Sequence, residues 1–153
     1  MRYLIFFVFS LLLFFFSIFY IDDPRTTDGE YQSSWYYIGA VATGVNIITN
    51  VRGNDFLSHS YVSSPSLNET AVFLSKGSFL DSDSNGDYRI SYFMEEKNSP
   101  SVLRPNNSLI YFDMVGRVGV PLEEEIKSIY KDKAVSIFDM KRNKNFIMYK
   151  KSH

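Results

Sequence analysis

Cysteine is absent from these 153 residues, so no disulfide staples the fold and no thiolate serves as nucleophile or soft metal ligand. Histidine occurs only as His59 and His153. They lie far apart, one of them terminal, and without cysteine partners they do not make a structural zinc site. There is no glycine-framed serine elbow and no phosphate-cradling glycine loop. A basic excess is missing too: the formal net charge is -1, which argues against nucleic-acid binding as the main work. No charge of either sign occurs between Tyr3 and Ile21.

That uncharged run, "YLIFFVFSLLLFFFSIFYI", holds seven of the chain's 14 Phe. At 1.5 Å per residue it would reach about 28 Å as a helix, close to the hydrocarbon thickness of a bilayer. A cleaved signal peptide needs small residues at its end, whereas Phe19, Tyr20 and Ile21 precede Asp22. A retained anchor is therefore expected over residues 1–21. Arg2 lies on one side of it and Asp22, Asp23 and Arg25 on the other, so the positive-inside bias places the N-terminus in the cytoplasm and the rest outside. Small animal extracellular domains usually carry disulfides. Their absence points to a bacterial inner membrane and periplasm.

Residues 22–33 read as a polar linker and residues 34–153 as one exported domain. Its pattern is mostly of period two, the strand signal. Strands are expected within Ser34–Val51, Phe56–Ser63 after an "RGND" turn, Ala71–Leu80, Tyr88–Glu95, Ser108–Val120, Val135–Met140 and Asn145–Lys150. One late helix is expected over Pro121–Lys133. Pro suits its first turn, Glu123, Glu124 and Glu125 face the positive dipole end, and Lys127, Lys131 and Lys133 lie toward the other. The fold class is mainly β (α+β): an antiparallel curled sheet or a partial lipocalin-like barrel, closed alone or with a partner that covers its edge.

The stretch "DSDSNGDYRISY" has the opening of a calcium loop, with Asp81, Asp83, Asn85 and Gly86 at positions 1, 3, 5 and 6. Position 9 is Arg89 and position 12 is Tyr92, neither of which chelates calcium. Asn85-Gly86 suits a tight hairpin instead. Asp81, Asp83 and Asp87 sit in a solvated loop without the burial that tunes acid–base carboxylates. No catalytic residue, metal or cofactor is expected. Aromatic residues crowd the strands, as an ordinary core or as a surface for an apolar ligand or partner. The candidate ligand-lining residues are Tyr88, Ile90, Tyr92 and Met94, which alternate onto one face, with Phe112 and Met114.

"NGDYRISYF", then "SLIYFDMVGRVGV", then a short helix, then "NFIMYKK" resemble in layout the small membrane partners of ToxR-like transcription regulators, the ToxS and FidL-like groups. The resemblance implies a non-catalytic, single-span protein with a periplasmic β-rich domain. It would bind and stabilise the periplasmic domain of a membrane-bound winged-helix regulator, or sense with it an amphipathic signal such as a bile-salt-like amphiphile. The alternative reading is an inner-membrane-anchored immunity protein that neutralises a toxin.

Overall fold

The computed structural model describes residues 9–11, 28–38, 42–82, 87–105, 108–131, 135–140 and 144–150. The expected anchor, apart from residues 9–11, lies outside the described residues, as does the Asn85-Gly86 turn. Among the described residues no helix is long and apolar enough to cross a membrane.

Among the described residues eight strands follow one another: β1 (Gly29–Ile38), β2 (Ala42–Arg52), β3 (Asp55–Ser63), β4 (Ala71–Ser82), β5 (Asp87–Asn98), β6 (Pro121–Lys131), β7 (Val135–Met140) and β8 (Lys144–Lys150). One helix, α1 (Leu109–Val115), sits between β5 and β6. Every strand pairs antiparallel with its sequence neighbour, and the sheet curls until β1 meets β8. The expectation of a mainly β, curled antiparallel sheet holds. β1 begins at Gly29 and so takes in residues 29–33 of the stretch read as linker. The Arg52–Asp55 turn forms where "RGND" predicts it, with Gly53 at φ 58, a left-handed conformation that glycine adopts at little cost.

Two elements exchange type. Leu109–Val115 is a helix where alternation predicts a strand. Tyr111, Met114 and Val115 fall at helical spacing and turn toward one cluster, and the Gly116 N–H closes the last turn on the Phe112 carbonyl at 2.9 Å. Conversely, Pro121–Lys131 is a strand, not a helix. Its charges, arranged for a helix dipole, serve a ladder equally well. Lys127 stands opposite Asp87 and Glu125 opposite Arg89, and opposite charges directly across an antiparallel pair are favourable. Pro121 is the strand's first residue, a position where a missing donor is tolerated.

The inward faces pack as two separate clusters. One gathers Val45, Val62, Leu67, Ala71, Phe73, Met94 and Tyr111 beneath α1 and the 64–70 loop. The other gathers Tyr31, Val51, Tyr88, Ile126 and Met148, with Phe56, Phe79 and Ile90 against it. Rings brace the second cluster, with the Phe56 and Phe79 centroids 5.6 Å apart and Phe79 meeting Tyr88 edge-on at 6.1 Å.

Candidate functional site

β5 carries the wall that the alternation singled out. Tyr88 and Met94 are buried, and Ile90 and Tyr92 lie half-buried on the same inward face. Tyr88 and Ile90 belong with one cluster, Met94 and Tyr92 with the other, so this strand spans both. Met114, half-buried on α1, packs on the first cluster with Tyr92 and Met94. Phe112 is not among the residues packed on that cluster: it is 45% exposed, and its ring lies tilted against that of Tyr111 at a centroid distance of 5.5 Å. Grouping it with Met114 assumed a period of two, and the helical period turns it away.

One polar network ties the cap to the barrel. Arg117, just past α1, donates to the Glu124 carboxylate of β6 at 2.9 Å and pairs with Asp113 of α1 at 3.3 Å. The Tyr92 hydroxyl donates to the same Glu124 oxygen at 3.1 Å. Burial, and then the adjacent Glu124 carboxylate, push the Tyr92 phenol up to about 12. Burial opposes the Arg117 charge, but the hydrogen bond it donates to the Tyr92 hydroxyl oxygen and the two carboxylates outweigh that, and its pKa is raised. The guanidinium is thus neutralised by its own partners and joins β5, β6 and α1. The cap is tied at a second point. Ser66, fully buried in the 64–70 loop, shares a hydrogen bond with buried Ser108 at 2.8 Å, and Leu67 bridges Val102.

Sequence reasoning missed a third feature, on the β2–β4 wall. Directly opposite residues in an antiparallel ladder share a face, and one inward row reads Tyr31, Thr49, Ser58, Ser75, Met94 across five strands. The next row reads Ser33, Ile47, Ser60, Phe73. Two apolar clusters are therefore separated by a patch of buried hydroxyls. The signal was present in "LSHSYV", where Ser58 and Ser60 keep phase with Val62.

The seam is the fourth feature. β1 pairs with β2 along its whole length but with β8 at two pairs only, Tyr31 with Lys150 and Gln32 with Tyr149. From Ser33 to Ile38 the second edge of β1 carries no ladder among the described residues. Trp35 and Tyr37 stand opposite buried Val45 and Thr43, so they lie on the inward face. Even so, they are 37% and 51% exposed. Tyr36, on the outer face, lies over Gly44, whose added β-carbon would come 3.1 Å from the ring.

Among the described residues no group of three or more His, Cys, Asp or Glu is placed to hold a metal ion. No protein-family model matches the chain, and no curated protein matches it.

Proposed function

We propose that the protein is a non-catalytic, membrane-anchored accessory protein of the bacterial periplasm, and that its barrel docks on the periplasmic domain of a membrane-bound winged-helix regulator. In that complex it stabilises its partner and senses an amphipathic signal with it. The observation that carries this reading is the open stretch of β1. An unpaired strand edge offers main-chain donors and acceptors to an incoming strand. Inward-facing aromatics left uncovered beside it, Trp35 and Tyr37, are the residue types that anchor protein interfaces. The uncharged run at residues 3–21 supports an anchor, which would hold the domain beside other anchored proteins and raise their effective concentration.

The test is retrieval of the tagged full-length protein from its native membranes in mild detergent, with mass spectrometry of what comes with it. A stoichiometric membrane protein with a cytoplasmic winged-helix domain is the expected result. That co-purification should weaken when Trp35 and Tyr37 are both changed to Ser. Retrieval of a secreted toxin instead would overturn the reading in favour of an immunity protein.

A further inference from the structure

Charge is divided unevenly along the chain. From Ile126 to His153 there are eight Lys and Arg against two Asp, whereas residues 22–125 hold seven Lys and Arg against fifteen Asp and Glu. The basic stretch includes the second half of β6 and all of β7 and β8. A formal net charge of -1 therefore conceals a polarised molecule, and such asymmetry is a sign of a charged partner.

The same three strands turn apolar side chains outward. On β8 Met148 is buried, while Ile147 and Tyr149 on either side of it are 39% and 55% exposed. Ile147 stands opposite Ile137, and Ile137 opposite Tyr130, which is 49% exposed. Tyr149 stands opposite Val135. Directly opposite residues share a face, so the outer surface of this sheet carries two adjoining apolar rows. A register shift between Ser128 and Tyr130 adds Ile129, 55% exposed. In an unbroken strand Ile129 and Tyr130 would point to opposite faces; the bulge leaves both in solvent. The patch ends at β1, where outward Gln32 and Ser34 hydrogen bond to Asn46 at 3.2 and 3.1 Å. Single exposed apolar residues are ordinary, but a contiguous group with a polar rim marks a contact surface.

The chemistry of that surface fits an anionic bilayer. Lysines are drawn to anionic headgroups, tyrosine rings settle at headgroup level, and aliphatic side chains reach the acyl boundary. A nucleic acid would also match the charge, but bases stack on aromatic faces, and Ile129, Ile137 and Ile147 offer none. The acidic remainder of the domain would be repelled by the same headgroups, which turns β6–β8 toward them. The entry of the chain favours this side too. Lys150 Nζ donates to the Asp28 carbonyl at 2.6 Å, so the start of the barrel lies beside β8. Seven residues, 22–28, separate the uncharged run from β1, and that many span at most about 25 Å when extended.

We propose that the outer face of β6–β8 lies on an anionic phospholipid surface, with Ile129, Tyr130, Ile147 and Tyr149 at the headgroup boundary. This orientation rests on the anchored part of the proposed function, which brings a bilayer within reach, and it leaves the β1 edge free for a protein partner.

The absence of cysteine lets Ile147→Cys and Leu57→Cys each take a single nitrobenzoxadiazole label. Leu57 is exposed on β3, four strands round the barrel from β7. Labelled full-length protein is reconstituted into nanodiscs of phosphatidylcholine, alone or mixed with phosphatidylglycerol, and acyl chains brominated near the headgroup quench a label that touches them. In the mixed discs quenching at position 147 should be about twofold or more that at position 57. It should fall to the position-57 level in phosphatidylcholine alone, and also at about 1 M salt, where the screening length shrinks to about 3 Å. Adding Ile129→Ser and Tyr149→Ser, both exposed positions, should remove most of the quenching and leave the melting temperature unchanged. Equal quenching at 147 and 57 in mixed discs overturns the inference and leaves the anchor standing. Two copies per disc with position 147 shielded in either lipid would assign the face to a second copy, and overturns it as well. Protein that elutes away from phosphatidylcholine discs but stays on mixed discs, quenched at 147, removes the anchor and keeps the face. Protein that stays on neither removes both.

Discussion

Gly77 on β4 stands directly opposite Tyr92 on β5, and no side chain fits between them. A β-carbon on Gly77 would lie 2.6 Å from both the Phe56 ring and Tyr92 Cβ, and would press on the Ser91 carbonyl. The small residue lets three strands close around the Phe56–Tyr92 contact, whose centroids are 6.5 Å apart. Gly77→Ala should therefore destabilise by about 1–3 kcal/mol, the usual penalty of overpacking. Denaturant melts of wild type and variant measure it, and an unchanged midpoint would show that the β4–β5 wall has room to spare.

Arg117 is the tie between cap and barrel. Replacing it with Met keeps much of its stem and removes its charge, leaving Glu124 half-buried without its cation. A loss of about 1–3 kcal/mol is expected. The more specific readout is hydrogen exchange. Amides of α1 and residues 116–119 should exchange faster, while those of β2 and β3 keep wild-type protection. Uniform acceleration across the barrel would mean that Arg117 supports the whole fold and not the cap.

Alkaline pH should find Tyr92. Its folded pKa is raised from the ordinary 10.0 to about 12. Its contribution to stability is thus complete below about pH 10 and fades as pH climbs through about 12. Melts between about pH 9 and about pH 12 should fall more steeply in wild type than in Tyr92→Phe. Tyr111, also raised, chiefly by burial, remains in both proteins. Parallel curves would remove Tyr92 from the account.

Lys150 pins the closed end of the seam. Its Nζ donates to the Asp28 carbonyl at 2.6 Å and lies 5.8 Å from the Tyr31 ring centroid. With only two ladder pairs between β1 and β8, Lys150→Ala should raise exchange at Tyr31 and Gln32 several-fold, with little change at the β2–β3 ladder. Protection that survives would show that backbone pairing alone holds the barrel shut.

Most strands were legible because alternation and turn residues agree. Val135–Met140 has the bounds that its pattern predicts, and β3, β4, β5 and β8 differ from theirs by a few residues at most. The two elements that exchanged type have patterns that fit both periods. Leu122, Ile126, Ile129 and Tyr130 lie on one side of a helix, but Leu122, Glu124 and Ile126 alternate as well. The deciding contact, Glu124 with Arg117 and Tyr92, is tertiary and invisible in a local window. The β5 face of the candidate site was readable for the opposite reason, since four apolar residues keep strict phase. The hydroxyl wall was not, because residue type alone does not say which way a serine points; only register against β2 and β4 does.

The sparse closure between β1 and β8 also sets an order of events. Every other ladder joins neighbours in sequence and can zip as a hairpin soon after its strands exist. The last joint must bring Tyr31 to Lys150, the most distant pairing in the barrel, and loop-closure entropy makes such a joint the slowest to form. A chain emerging N-terminus first shows the whole free edge of β1 from the moment β2 has folded against it until β8 covers Tyr31 and Gln32. On the proposed reading, a partner waiting at the membrane would meet that edge before the chain's own last strand does, and timing would weigh on assembly as well as affinity.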